Sequence, residues 1–181
     1  MAGKTPREAA DNFVSFLRET LSCISDHFLS AYQQSEKLYK LYYEPYARVT
    51  AKSGDAYLVS VTQIFRTIPH PEQKGQFKAT TQEYSYRLLA GPGENTEILA
   101  YHWHPQEPGV NYPHLHLRLY PRVHFPSSRV CLEDFVTLLM RDYGVRGEKV
   151  AFRMQGNFDQ KQEGIRENGN VEDPKPLELL V

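Results

Sequence analysis

Cysteine is scarce in this chain: Cys23 and Cys131 are the only two in 181 residues. Neither has the closely spaced partners of a zinc knuckle, so neither a disulfide framework nor a cysteine metal site organises the fold, and a reducing, cytoplasmic setting is expected. Long hydrophobic runs are missing as well. No stretch of about 18 apolar residues is present and the N-terminus carries no secretory core, so neither membrane spanning nor export is expected. Net charge is nearly absent, with 21 Lys and Arg against 22 Asp and Glu, a balance of −1. General attraction to nucleic acid or an anionic membrane is thereby excluded, and any basic binding surface has to be local. What remains is a globular composition, 40% hydrophobic and 24% charged, on a chain long enough for one domain with a real core.

Thr5-Pro6-Arg7-Glu8 reads as a helix start, with Thr5 as N-cap, Pro6 in the first turn and Glu8 closing a capping box. Phe13, Leu17, Leu21, Ile24, Phe28 and Tyr32 follow at steps of three and four, an apolar stripe that predicts an amphipathic helix to about Lys37. Tyr39 to Tyr46 is aromatic without a clear period, and Pro45 excludes a helix across it. From Ala47 the pattern becomes extended. Ala47–Thr50 leads through the turn Ser53-Gly54-Asp55 into Tyr57, Val59, Val61 and Phe65, which alternate as in a half-buried strand. Residues 69–75 read as a loop, about Gln76 to Ala90 as a long strand, and 91–94 as a turn. Leu132, Phe135, Val136, Leu139 and Tyr143 share one face of a second helix that Gly144 stops. Lys149 to Met154 reads as a final strand, and the polar, acid-rich remainder as a mobile tail with a short apolar end. The expectation is a single α+β domain over residues 1–154, an antiparallel sheet of five or six strands with helices covering one face, followed by a tail over 155–181.

Four of the seven histidines lie in Tyr101-His102-Trp103-His104 and His114-Leu115-His116-Leu117. Strand side chains alternate, so the imidazoles point one way and the aromatic and leucine side chains the other. An antiparallel hairpin between the segments sets His104 opposite His114 and His102 opposite His116. For the preceding strand, pairing Tyr84 with Tyr101 and Tyr86 with Leu99 keeps the aromatics together, and a one-residue slip would bury Glu83 among them. Glu83 then faces His102, Thr81 lies near His104, and Arg118 continues the face past His116.

Imidazoles on one strand and across its ladder suit zinc or another transition metal, and an open position makes such a site catalytic. His102, His104 and His116 are the expected ligands of a divalent metal. His114 and Glu83 are the acid-base candidates, and Arg118 is the phosphate contact. The resulting expectation is a phosphoester hydrolase or nuclease-like protein acting on RNA or a nucleotide. The same histidines can also cleave a phosphodiester without metal. A different class of reading is a non-enzymatic module or homodimer that buries the polar face and the aromatic helix against a protein partner.

Other residues carry weaker signals. Pro121 interrupts the parity before His124, which joins the site only if the loop returns it. His70, between two prolines, reads as a loop residue, and His27 as a helix surface position. Arg118, Arg122 and Arg129 form either a local anion patch or three solvated side chains. Cys131, at the start of the second helix, is a structural thiol or a thiolate favoured by the helix dipole.

The segment PHLHLRLYPRVHFPSSRVCLEDFVTLLMRDYG, Pro113 to Gly144, resembles a class of small bacterial proteins with a histidine-rich strand followed by a loop and an LED-type helix. In that respect it is distantly similar to the TumE toxin-antitoxin family. The resemblance implies an intracellular bacterial protein acting with a genetically linked partner, as an RNA-directed toxin, and carries over no catalytic residue. His114-Leu115-His116 also partly resembles the string of the histidine-triad nucleotide hydrolases, with Arg118 where the third histidine would stand.

Overall fold

A computed structural model describes residues 2–26, 29–35, 38–42, 46–91, 96–106 and 108–147. The first helix, α1 (Pro6–Ser22), starts as its sequence dictates. Thr5 is extended and accepts a hydrogen bond from the Glu8 amide at 3.1 Å, while the Glu8 carboxylate accepts one from the Lys4 amide at 2.7 Å. The preceding short strand β1 (Ala2–Gly3) lies so close to α1 that a Cβ on Gly3 would stand 2.4 Å from the Ala9 nitrogen, which requires glycine there.

α1 ends fifteen residues before the expected Lys37. Ser22, Cys23 and Ser25 are weak helix formers, and the three-and-four spacing of the stripe persists beyond them by coincidence. Ser30–Ser35 instead forms β2 and Leu38–Tyr42 forms β3. In β3, Tyr39 and Leu41 are buried and their neighbours are not, a two-residue period within the aromatic segment. The sheet continues with β4 (Ala47–Thr50), β5 (Ala56–Pro69), β6 (Phe77–Ala90), β7 (Glu97–Trp103), β8 (His114–Leu117) and β9 (Tyr120–Pro126). Nine strands among the described residues exceed the expected five or six. The unforeseen β9 contains Pro121 and Pro126, a composition compatible with its place at the sheet's edge.

Every pairing is antiparallel, in the order β2-β3-β5-β6-β7-β8-β9. The two 14-residue strands β5 and β6 form the centre. β3 and β4 share the outer edge of β5, and β1 and β7 share that of β6. The second helix, α2 (Leu132–Arg141), buries Leu132, Phe135, Val136 and Leu139 and is followed by Gly144 at φ 63°.

The helices lie on the face that carries Phe65 and Tyr86. Phe13 of α1 meets Phe65 edge-on at 4.8 Å between centroids, and Phe135 of α2 stacks on Tyr86 at 5.6 Å. Val59, Val61, Phe65, Tyr84, Tyr86 and Leu88 are buried there. Each large side chain contributes about 1.5–3 kcal/mol by leaving water. Some of its polar side chains are linked in a chain: Tyr86 donates to Gln63 Oε1 and Gln63 Nε2 donates to Thr81 Oγ1, both at 2.8 Å. Among the described residues no helix is long and apolar enough to cross a membrane. The expected strand from Lys149 to Met154 and the tail over 155–181 lie outside the described residues.

Candidate metal centre

The opposite face of β6, β7 and β8 carries the histidines, and its register differs from expectation by two residues in both ladders. Tyr84 pairs with Trp103 and Tyr86 with Tyr101, while His102 pairs with His114 and Ala100 with His116. A two-residue slip leaves every side chain on its own face, so the burial pattern that excludes odd registers cannot distinguish even ones. The ladder between β6 and β7 is also irregular at Leu88 and Leu89, where Glu97 rather than Ile98 takes the next pairing position.

The slip regroups the imidazoles. His102, His114 and His116 each offer a ligand nitrogen, and these atoms lie within 4.8 Å of one another. Their ring centroids are 4.9 to 5.6 Å apart. His114 thus stands in the converging group in the place expected for His104. His104 instead sits beside Glu83, with Nδ1 3.1 Å from Oε1 but misaligned for a hydrogen bond. Glu83 therefore adjoins His104 and not, as the expected register had it, His102.

A bulge controls that carboxylate. Ile64 pairs with Glu83 and Phe65 with Thr81, so Gln82 is the extra residue. It turns Thr81 to the helix-bearing face, where Thr81 accepts from Gln63, and not toward His104 as expected.

The protonation of two rings follows from their partners. His114 Nδ1 lies 2.9 Å from the Tyr112 carbonyl oxygen and His116 Nδ1 lies 3.3 Å from that of Pro121. Carbonyl oxygens only accept, so both Nδ1 atoms carry hydrogen and both Nε2 atoms expose lone pairs. Backbone carbonyls commonly orient metal-binding histidines in this manner. His102 Nε2 is buried without a hydrogen-bond partner. Burial first, then the neighbouring His116, His104, His114 and Arg87, push its pKa down to about 3. Burial likewise lowers the pKa of His114, which is 3% exposed, against the opposing effect of its bond to Tyr112. Neutral imidazole is the ligand form, and this triad could hold a metal ion.

Two residues on this face carry signals that sequence reading underused. Arg87 lies two positions beyond Ser85 on the Glu83 side of β6, close enough to depress His102, and pairs with Glu97 at 2.8 Å. Strand parity from Glu83 would have found it. His124 does reach the cluster, because β9 folds back along β8 and sets its ring 4.8 Å from His114 and 4.6 Å from His116.

The remaining candidates sit elsewhere or act differently. Arg118 is exposed in the turn between β8 and β9, its amide bonded to the Ile98 carbonyl at 2.9 Å. Arg129 lies over Trp103 at 3.5 Å on the helix-bearing face, so it does not join Arg118 and the exposed Arg122 in one patch beside the histidines. Cys131 donates to Asp134 Oδ2 at 2.9 Å, and burial with that bond raises its pKa to about 12, so it is a thiol. His70 caps its own loop by accepting from the Glu72 and Gln73 amides at 3.2 and 3.1 Å. His27 lies outside the described residues. Comparison with protein-family models, curated proteins and solved structures finds no match to the chain.

Proposed function

We propose that the protein is a metal-dependent phosphoester hydrolase whose ion is held by His102, His114 and His116. The observation that supports this most directly is the convergence of ligand nitrogens from three imidazoles, two of which meet backbone carbonyls at Nδ1 while the third, His102, has a buried Nε2 without a partner. An unpaired buried nitrogen costs about 1–3 kcal/mol, and a bound ion offsets that cost. A zinc-class ion at this position supplies Lewis-acid chemistry at neutral pH. In this reading His104, with the Glu83 carboxylate beside it, takes the proton of an attacking water. Arg87 brings positive charge to the same face, and Arg118 is a second phosphate contact contributed from the turn.

Metal analysis of untagged protein, paired with turnover of bis(4-nitrophenyl) phosphate and of a mixed RNA pool, tests the proposal. One equivalent of metal and turnover abolished by chelator are expected. Less than about a tenth of an equivalent, with no rise in melting temperature on adding zinc, would remove the metal, since any ligand of the folded state must stabilise it.

A second reading, an interaction module, is favoured by apolar exposure at the β8–β9 hairpin. Leu119 is 83% exposed, and Tyr120 and Val123 are exposed beside it. A protein partner or second copy docked there would be lost on Leu119→Ser. Light scattering that shows a concentration-independent monomer for the unaltered chain argues against the homodimer.

A further inference from the structure

Resting on the metal reading above, we propose that His124 is a fourth, exchangeable ligand of the same ion, delivered by the edge strand β9 as the three inner histidines hold it from the sheet. A closed tetrahedral zinc-class site has four protein donors, and the triad supplies three. His124 comes from the strand folded back along β8. Its ring centroid is 4.6 Å from His116 and 4.8 Å from His114, nearer to both than His102 is, at 4.9 and 5.6 Å. Its ligand atoms nevertheless fall outside the group formed by His102, His114 and His116.

The backbone around His124 allows the small movement that coordination requires. β8 and β9 pair through His114 with Pro126 and Leu115 with Phe125, and then shift before Leu117 pairs with Tyr120. Residues between those pairings, His124 among them, lie in an irregular stretch of an edge strand. The side chain is exposed, unlike that of His114. The four donors therefore differ in kind, with three imidazoles anchored in the sheet and one at the solvent margin. In the resting protein the ion is closed by four nitrogens. Water or a substrate oxygen replaces the outer imidazole, and the inner three retain the ion. Coordination also fastens β9 to β8.

Cobalt(II) chloride added to the untagged, metal-free full chain reads this directly through the visible spectrum. The unaltered protein should give the intense bands of a four-coordinate, all-nitrogen ion that stay constant as pH is raised from 6 to 8. His124→Ala should bind cobalt at least about tenfold more weakly, a change of 1.4 kcal/mol, with shifted bands that respond to pH as a water takes the vacant position. Hydrogen exchange of the amides from Tyr120 to Phe125 should slow on adding cobalt to the unaltered protein and not to the variant. The metal-free melting temperature of His124→Ala checks that the hairpin is intact, and His124→Gln replaces it if that temperature falls.

Equal affinity and identical spectra for the variant and the unaltered chain would overturn the role of His124 and leave the triad standing. No cobalt binding by the unaltered chain would overturn both. Cobalt binding with His124-dependent spectra but no phosphoester turnover would support the ligand and remove only the hydrolase.

Discussion

The two faces of β6 and β7 are built from alternate residues of the same strands, yet they obey opposite rules. Toward the helices stand Tyr84, Tyr86, Leu88, Leu99 and Trp103, all buried, with the Tyr86 hydroxyl bonded to Gln63. On the other side stand Glu83, Arg87, His102 and His104, where a buried imidazole nitrogen lacks a partner and the neighbouring imidazoles and Arg87 help to keep His102 unprotonated. One face holds the protein together. The other spends stability on an arrangement that only a ligand completes, a pattern more often found at functional sites than in structural cores.

Breaking the helix-bearing face should have the largest effect. Phe135 is fully buried against Tyr86, and Phe135→Ala removes from α2 the ring that stacks on the sheet. A loss of about 3–5 kcal/mol is expected in urea unfolding. A loss below about 1 kcal/mol would mean that α2 is not anchored there. Tyr86→Phe is subtler. It keeps the ring but leaves Gln63 Oε1 buried without its donor, so about 1–3 kcal/mol should be lost with little structural change.

Acid should probe the histidine face. His102 has a folded pKa of about 3 against an ordinary value of 6.5. Between those values the unfolded chain binds a proton that the folded one refuses, so stability is complete above about pH 6.5 and declines as pH falls toward 3. His114 adds in the same direction. For the metal-free protein the slope from His102 alone is at most about 1.4 kcal/mol per pH unit. Chemical denaturation at pH 7, 6 and 5 measures it, and stability that rises on acidification would contradict the burial of these rings.

How much of this was legible in the sequence follows from what periodicity encodes. The facing of His102, His104, His114, His116 and Glu83 is a parity, and parity survives any even slip of register. Which imidazoles meet depends on the register of β7 against β8, where His102 pairs with His114, and neither the parity of the strands nor the composition of the loop between them distinguishes that register from one two residues away. α2 was readable because its apolar period and glycine stop agree. The end of α1 was not, because Ile24 and Tyr32 keep helical spacing while the chain has already left the helix. β9 was hidden by its prolines, and with it the return of His124 to the cluster.

The smallest expected change in stability is also the sharpest test of the contrast between the faces. His102→Leu replaces a buried imidazole by a side chain of similar bulk that asks for no hydrogen bond. Where a buried polar group has no partner, an apolar substitute of the same shape is nearly neutral or stabilising. The metal-free variant should therefore unfold within about 1 kcal/mol of the unaltered protein at pH 7, and its acid slope should be shallower because the proton refused by His102 is gone. Zinc, which should raise the melting temperature of the unaltered protein, should leave that of the variant almost unmoved. The three measurements answer different questions: neutrality concerns the unpaired nitrogen, the slope concerns its burial, and the zinc response concerns its purpose. A variant that loses several kcal/mol without metal would place His102 among the structural residues, and the two faces would then differ in composition but not in role.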